Sequence, residues 1–334
     1  MAATGRGAVI AALVGNAFLT IIKIVAFAVS GSGAMLSEGI HSAADTGNQG
    51  LLYVGIRRSE KPADALFHYG YGAERFFYAL MSAVGIFVLG CGVTVYHGIH
   101  TLIDPVDVKL NWLTVAVLAI SFVVDGVVFV SAARVIAAEK GPKTFWQHIR
   151  STSDPTVLAV LFEDFVATLG VVVAAGGIAL AHWTGNPMWD AISSIIIGAL
   201  LGLVAMWLGW RNRMLILGPA IPIEMQKGAV ELLLSQPTVN AVRDIKTRIL
   251  AADRYRLKAE IDYNGKVLGA RHADWLEAEL TGQDGIDYKA LAERFGERML
   301  DALSTEVDRI EAELRKAYPQ LKHLDFEVDD VEGE

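Results

Sequence analysis

His41 and Asp45 stand four residues apart in SEGIHSAADTGNQ, residues 37–49, and Glu38 and Asn48 extend the row to acid, imidazole, acid, amide. At about 100° per residue these positions follow i, i+3, i+7, i+10 and share one helix stripe. A His and an Asp on adjacent turns can offer two ligands of one helix to one cation. In a soluble helix the plainer reading is a His–Asp bond that holds helices together. The flanking runs SGSGAML and GLLYVGI are apolar, however, and ionisable residues inside a membrane mark ion pathways, because burying each one without a partner costs several kcal/mol.

A second acidic position lies in DPTVLAVLFEDFVATLG, residues 154–170. Asp154-Pro155 reads as a helix start with Asp154 as cap, so Glu163 and Asp164 fall about two turns in. They differ by about 100° around the helix, so only one can point squarely at a ligand. The longer Glu163 side chain can still curl toward a cation held by Asp164, or Glu163 can serve as a supporting acceptor or proton carrier. Lys23 and Asp125 (in SFVVDGVVF) are further charges in apolar runs. They read as a buried ion pair, as charge balance for the acidic stripe, or as both.

The elements that must hold these residues follow from composition. Hydrophobic residues make up 53% of the 334, too many for an ordinary soluble chain. Residues 1–211 carry 12 Lys/Arg and 13 Asp/Glu, whereas residues 212–334 carry 17 and 24. A nearly neutral membrane domain, 1–212, should precede a charged, water-exposed domain, 213–334. Apolar runs near 9–29, 34–56, 76–100, 111–135, 156–182 and 188–210 are long enough to span a bilayer. The first is too long for a cleaved signal core. Basic residues concentrate in the N-terminus, 57–75, 134–150 and Arg211, which places both termini in the cytoplasm. The SGSG turn at 30–33 makes the first two spans an antiparallel hairpin, with Lys23 at about the depth of His41 and Asn16 at about the depth of Asn48. Cys91, the lone cysteine, excludes an internal disulfide or thiolate cluster and reads as a small packing or lipid-facing residue.

SGSGAMLSEGIHSAADTGNQ resembles the cation diffusion facilitator family, and the resemblance covers nearly the whole chain. HSAADTGNQ, FHYGYGAERFF and DPTVLAVLFEDFVATLG together resemble the solute-carrier-30 branch around its ninth zinc transporter. The family implies a multi-pass α-helical membrane protein: a six-helix transmembrane bundle with a small α+β, ferredoxin-like cytoplasmic domain. It also implies proton-coupled export of divalent metal, no resident cofactor, and a homodimer in the lipid bilayer of an inner or plasma membrane if bacterial. Divalent metal and protons are then the partners, and no nucleic acid is expected. His41, Asp45 and Asp164 match the family's ligand positions. Val160 stands where a further His or Asp is usual, leaving Glu163, Asn48 or water to complete the shell. One nitrogen among several oxygens admits Mn²⁺, Fe²⁺ or Co²⁺ besides Zn²⁺, and Zn²⁺ comes first by resemblance. Metal ligands must lose protons to bind, so exchange of metal for protons follows from the same residues. Glu38, Lys23 and Asp125 are the candidates for proton coupling or charge balance.

Two accessory sites are weaker. Asp64 and His68 lie in the 57–75 connection, where Tyr71 replaces a second His, and a solvated loop is the favoured reading. His323, Asp325 and Glu327 share one face of the HLDFEVD strand, more simply an exposed polar row. The tail reads as a helix at 222–235, a weak strand near 241–250, a half-buried strand YRLKAEID, a helix at 289–317 and the HLDFEVD strand. Residues 264–288 form an insert without an assigned role. Two other classes, a metal sensor and a membrane metalloenzyme, compete with the transporter. The second lacks a His-Glu-x-x-His motif.

Overall fold

The apolar runs that exceed bilayer thickness become the long helices of the computed structural model, which describes residues 2–30, 33–104, 112–141, 144–281 and 285–329. The chain divides into two compact units, one chiefly residues 1–217 and the other chiefly residue 218 onward. In the first, α1 (Ala2–Ser30) and α2 (Gly33–Ser59) form the hairpin. A third long helix comprises α3 (Glu74–Gly85), a π-helical stretch (Ile86–Val93) and α4 (Thr94–Ile103). Then come α5 (Trp112–Glu139), the short α6 (Phe145–Ser151), α7 (Pro155–Thr184) and α8 (Met188–Leu217).

Five of these helices are long and apolar enough to cross a membrane: Arg6–Ala26 within α1, Glu74–Ile103, Val115–Ala138 within α5, Pro155–Thr184 and Met188–Leu217. With 27 residues, α2 also has the length, about 40 Å at the rise of an α-helix. Its polar stripe lowers its hydropathy, for the reason that makes it interesting. It packs between α1 and the third helix as the sixth member of the bundle.

Side-chain size and polarity decide which face of each helix turns inward. On α1, Val14, Phe18, Ile21 and Val25 are exposed on an outer stripe, whereas Asn16, Leu19, Lys23 and Ala26 are buried. A membrane span is expected to turn its apolar face to lipid and its polar groups to the bundle interior. Neighbour contacts close a ring: α1 on α2, α2 on α3, the third helix on α8, α8 on α7, α7 on α5, and α5 on α1. Because α7 also touches α1 and α3, it is the most enclosed of these helices. Small residues permit close approach in the ring. A Cβ at Gly98 would lie 2.7 Å from Ile195 Cγ1 and 2.9 Å from Ala191 O. Cys91, part-buried, sits against Gly202, as a packing residue should.

Ion pairs and caps fix the ends. Asp154 Oδ1 accepts from Thr156 N at 3.0 Å, capping α7, while its Oδ2 pairs with the buried Arg75 Nη1 of α3 at 3.1 Å. Arg211 of α8 donates through Nη1 to Arg150 O at 2.7 Å and through Nη2 to Thr152 O at 2.5 Å. These bonds tie three helices to the segment before α7. The short helix α6 lies in the basic stretch between the apolar runs of α5 and α7. It starts with a capping box in which Thr144 and Gln147 exchange hydrogen bonds.

The second unit holds α9 (Ile223–Leu234), β1 (Val239–Ala251), β2 (Arg254–Tyr263), α10 (Gly265–Ala270), α11 (Ala273–Leu280), α12 (Tyr288–Ala317) and β3 (Leu321–Val328). The strand order is β1-β2-β3, and β2 pairs parallel to β3. Parallel neighbours need a crossover, and the chain between β2 and β3, which includes α12, supplies it. Tyr255, Leu257, Ala259 and Ile261 of β2 are buried, as its alternation requires. The insert is partly helical. Asn264 caps α10, and Arg298 of α12 lies 4.4 Å over the Trp275 ring of α11. Arg271 Nη1 pairs at 2.9 Å with Glu306 of α12. Glu306 is 2% exposed. It also accepts from Arg309 Nη2 at 2.7 Å and Thr238 Oγ1 at 2.6 Å, and these bonds pull its pKa down to about 2.

Candidate metal-transport site

The α1–α2 hairpin sets the depth of the polar residues. Lys23 Nζ donates to Ser42 Oγ at 2.8 Å, and Thr20 and Thr46 hydroxyls meet at 3.1 Å. These contacts agree within one to two residues with depths counted from the turn. Lys23, Ser42, Asn16 and Asn48 are all buried. Glu38 lies on α2, but its side chain falls outside the described residues.

On the α2 stripe, His41 Nε2 stands 3.6 Å from Asp45 Oδ2, the adjacent-turn pairing that their spacing dictates. Both side chains keep some exposure, 32% and 19%. One turn further, Asn48 and Gln49 are buried, as are Glu163 and Asp164 on α7. The two helices meet through these side chains. Gln49 Nε2 donates to Glu163 Oε2 at 2.5 Å, and Asn48 Nδ2 approaches Glu163 Oε1 at 3.5 Å. Asp45 is within electrostatic range of both Glu163 and Asp164, and Asp125 of α5 is within range of Asp164. Three helices thus bring carboxylates towards one buried region. Asp164 Oδ2 and Gln49 Oε1 are buried there without a hydrogen-bond partner.

Among the described residues, no three His, Cys, Asp or Glu side chains group closely enough to hold a metal ion. The candidate ligands lie instead as two pairs, His41 with Asp45 on α2 and the neighbouring Glu163 and Asp164 on α7. Two further residues shape the region. Gln49 follows the polar stripe by one position and lies on its flank. Gly85 of α3 abuts Asn48: a Cβ there would overlap Asn48 Oδ1 and lie 3.4 Å from Asn48 Cγ. The π-helical stretch begins immediately after Gly85, a distortion frequent at functional sites.

The accessory candidates have their groups engaged. Asp64 Oδ1 accepts from Leu66 N and Phe67 N, and Oδ2 from Tyr71 OH at 2.6 Å. The Tyr71 bond lowers the Asp64 pKa and raises that of Tyr71. His68 Nε2 lies 3.1 Å from Ala65 O. Asp325 Oδ2 pairs with Arg256 Nε at 2.6 Å and Glu327 Oε1 with Lys258 Nζ at 2.7 Å, across strands β3 and β2. Burial lowers the pKa of His323, which lies opposite Arg256 in the β2–β3 register. Cross-strand charge pairing accounts for this row.

Residues 9–217 match the model of the cation efflux transmembrane domain. The chain belongs to the cation efflux family. This cation efflux protein is 36% identical over 322 residues to the mouse proton-coupled zinc antiporter SLC30A9, mitochondrial, covering 94% of this chain and 57% of the mouse protein. It is 34% identical over 334 residues to metal tolerance protein C4 of Arabidopsis thaliana, covering 96% of this chain and 73% of the plant protein. It is 26% identical over 251 residues to the cation-efflux pump FieF of Citrobacter koseri, covering 74% and 78%. The chain thus spans little more than half the length of the mouse relative. The cation efflux protein is a multi-pass membrane protein with a small mixed α/β unit after its helical bundle.

Proposed function

We propose that this chain exchanges divalent metal, Zn²⁺ first, for protons across a membrane, exporting the metal from the cytoplasm. One observation carries the reading: Asn48 and Gln49 of α2 reach Glu163 of α7 beside Asp164, deep in the bundle and one to two turns from the His41–Asp45 pair. In this reading His41, Asp45 and Asp164 are the ligands. A modest shift of α2 against α7 joins the two pairs around one ion, and the reverse shift parts them. Transition metals accept this mixed nitrogen and oxygen set, and binding releases ligand protons. The name of the mouse relative supports both the metal and the coupling.

Further parts of the proposal concern organisation. Residues 1–212 form the transport domain and 213–334 a cytoplasmic dimerisation or regulatory domain. The chain works as a homodimer with both termini in the cytoplasm and catalyses no covalent reaction. Purified protein in vesicles containing a zinc indicator and a pH indicator tests the reading. Zn²⁺ entry should accompany opposite proton movement, and His41→Ala and Asp45→Ala should abolish both. Undiminished coupled flux in either variant would end it.

A further inference from the structure

Gln49 Oε1 and Asp164 Oδ2 are among the buried side-chain oxygens of the bundle without a hydrogen-bond partner. Gln49 is completely buried, so its carbonyl has given up water and received nothing in return. An acceptor left in that state is destabilising, and one kept there calls for a partner. The amide's other end is engaged: Nε2 donates to Glu163 Oε2 at 2.5 Å, and a carboxylate so near fixes the nitrogen towards it and the oxygen away. Gln49 also stands four residues beyond Asp45, as Asp45 stands four beyond His41, so the three follow one another on adjacent turns.

Glu163 is in the opposite condition. Gln49 and Asn48 both direct amide N–H groups at it. Drawing Glu163 onto a cation would strip two buried donors of their acceptor. Leaving it in place keeps both satisfied and polarises the Gln49 carbonyl, as an outer carboxylate orients an inner ligand in many metal sites.

We propose that Gln49 supplies the neutral oxygen ligand that completes the transport site where Val160 offers none, and that Glu163 positions Gln49 from behind. This rests on the reading that His41, Asp45 and Asp164 bind the transported ion. It adds a member to that set and makes the site harder than a histidine-rich one, suited to Zn²⁺ and Mn²⁺ more than to Cd²⁺.

A ligand swap with a metal readout tests it. Equilibrium binding of Zn²⁺, Mn²⁺ and Cd²⁺ to the purified full chain in detergent is measured for the parent and for Gln49→Leu, Gln49→Met and Asp45→Ala. Gln49→Leu should weaken Zn²⁺ binding by about 10–100-fold. Gln49→Met, which replaces the oxygen with a thioether, should weaken Mn²⁺ at least as much while raising the preference for Cd²⁺ over Mn²⁺ by about tenfold or more. A parental Cd²⁺/Mn²⁺ ratio in Gln49→Met, with all three metals weakened alike, would reduce Gln49 to a packing residue and overturn the proposal. So would parental affinity in Gln49→Leu. If either variant fails to fold, Gln49→Asn keeps the amide but retracts its oxygen by one methylene, and parental affinity there is equally fatal. Asp45→Ala separates the two claims: should it bind all three metals as the parent does, the transport-site reading fails first.

Discussion

Replacing Gly85 with Ala changes one hydrogen into a methyl group at the wall of the proposed site. The new Cβ overlaps Asn48 Oδ1 and comes within 3.4 Å of Asn48 Cγ, so the Asn48 amide must swing away. Its Nδ2 then leaves Glu163 Oε1, now 3.5 Å distant, and Glu163 keeps only Gln49 as donor. Overpacking of this kind costs about 1–3 kcal/mol. Ala in place of Gly within a helix returns about 1 kcal/mol. The net loss of stability should therefore be small, at most about 2 kcal/mol, while Zn²⁺ affinity falls about 10–100-fold because a supporting contact of the site is gone. Gly176→Ala on α7 is the control, since nothing lies within 4 Å of its added Cβ. It gains the same helix propensity and should bind Zn²⁺ as the parent does. Thermal unfolding and calorimetric Zn²⁺ titration of the three proteins separate the two effects. In an Asn48→Ala background, Gly85→Ala should remove no further Zn²⁺ affinity and should stabilise by about 1 kcal/mol, a departure from additivity expected of touching residues. Parental Zn²⁺ affinity in Gly85→Ala would refute the argument that Asn48 and its neighbour Glu163 support the site.

The C-terminal unit carries a pH signature. The Glu306 pKa is held at about 2, against an ordinary 4.5, so its contribution is complete above about pH 4.5 and is lost as pH falls towards 2. The shift corresponds to roughly 3 kcal/mol, which Glu306→Gln should remove at pH 7 and not at pH 2, read as urea midpoints by pulse proteolysis. Arg75→Ala strands the Asp154 carboxylate at the start of α7 and should cost about 3–5 kcal/mol in thermal unfolding. Arg75→Met combined with Asp154→Asn, which keeps the cap, should cost less than Arg75→Ala alone.

The parts legible in the sequence are those set by local rules. Length and hydropathy give the long helices, and the SGSG turn gives the hairpin depths that Lys23–Ser42 and Thr20–Thr46 contacts bear out. Period-two burial gives β2, and Asp-Pro gives the start of α7. What stayed hidden depends on neighbours distant in the chain. Gln49 became visible only when α7 placed Glu163 against it, and Gly85 only when Asn48 came to rest on it. The Arg75–Asp154 pair joins helices 79 positions apart, beyond any periodicity. The capping box of α6 was readable from Thr144 and Gln147, but a basic connection masked it. The insert's helices α10 and α11 are short, and their hold on α12 through Arg271–Glu306 and Trp275–Arg298 is tertiary.

Whether one ion draws its ligands from both α2 and α7 can be read from the ion itself. Zinc K-edge X-ray absorption on the full chain loaded with one equivalent should show a single imidazole nitrogen among oxygen donors at about 2.0–2.2 Å, with no sulfur. His41→Ala should erase the imidazole signature, and Asp164→Ala should remove one oxygen while leaving it in place. A spectrum with no imidazole, or one that neither substitution alters, would contradict the account.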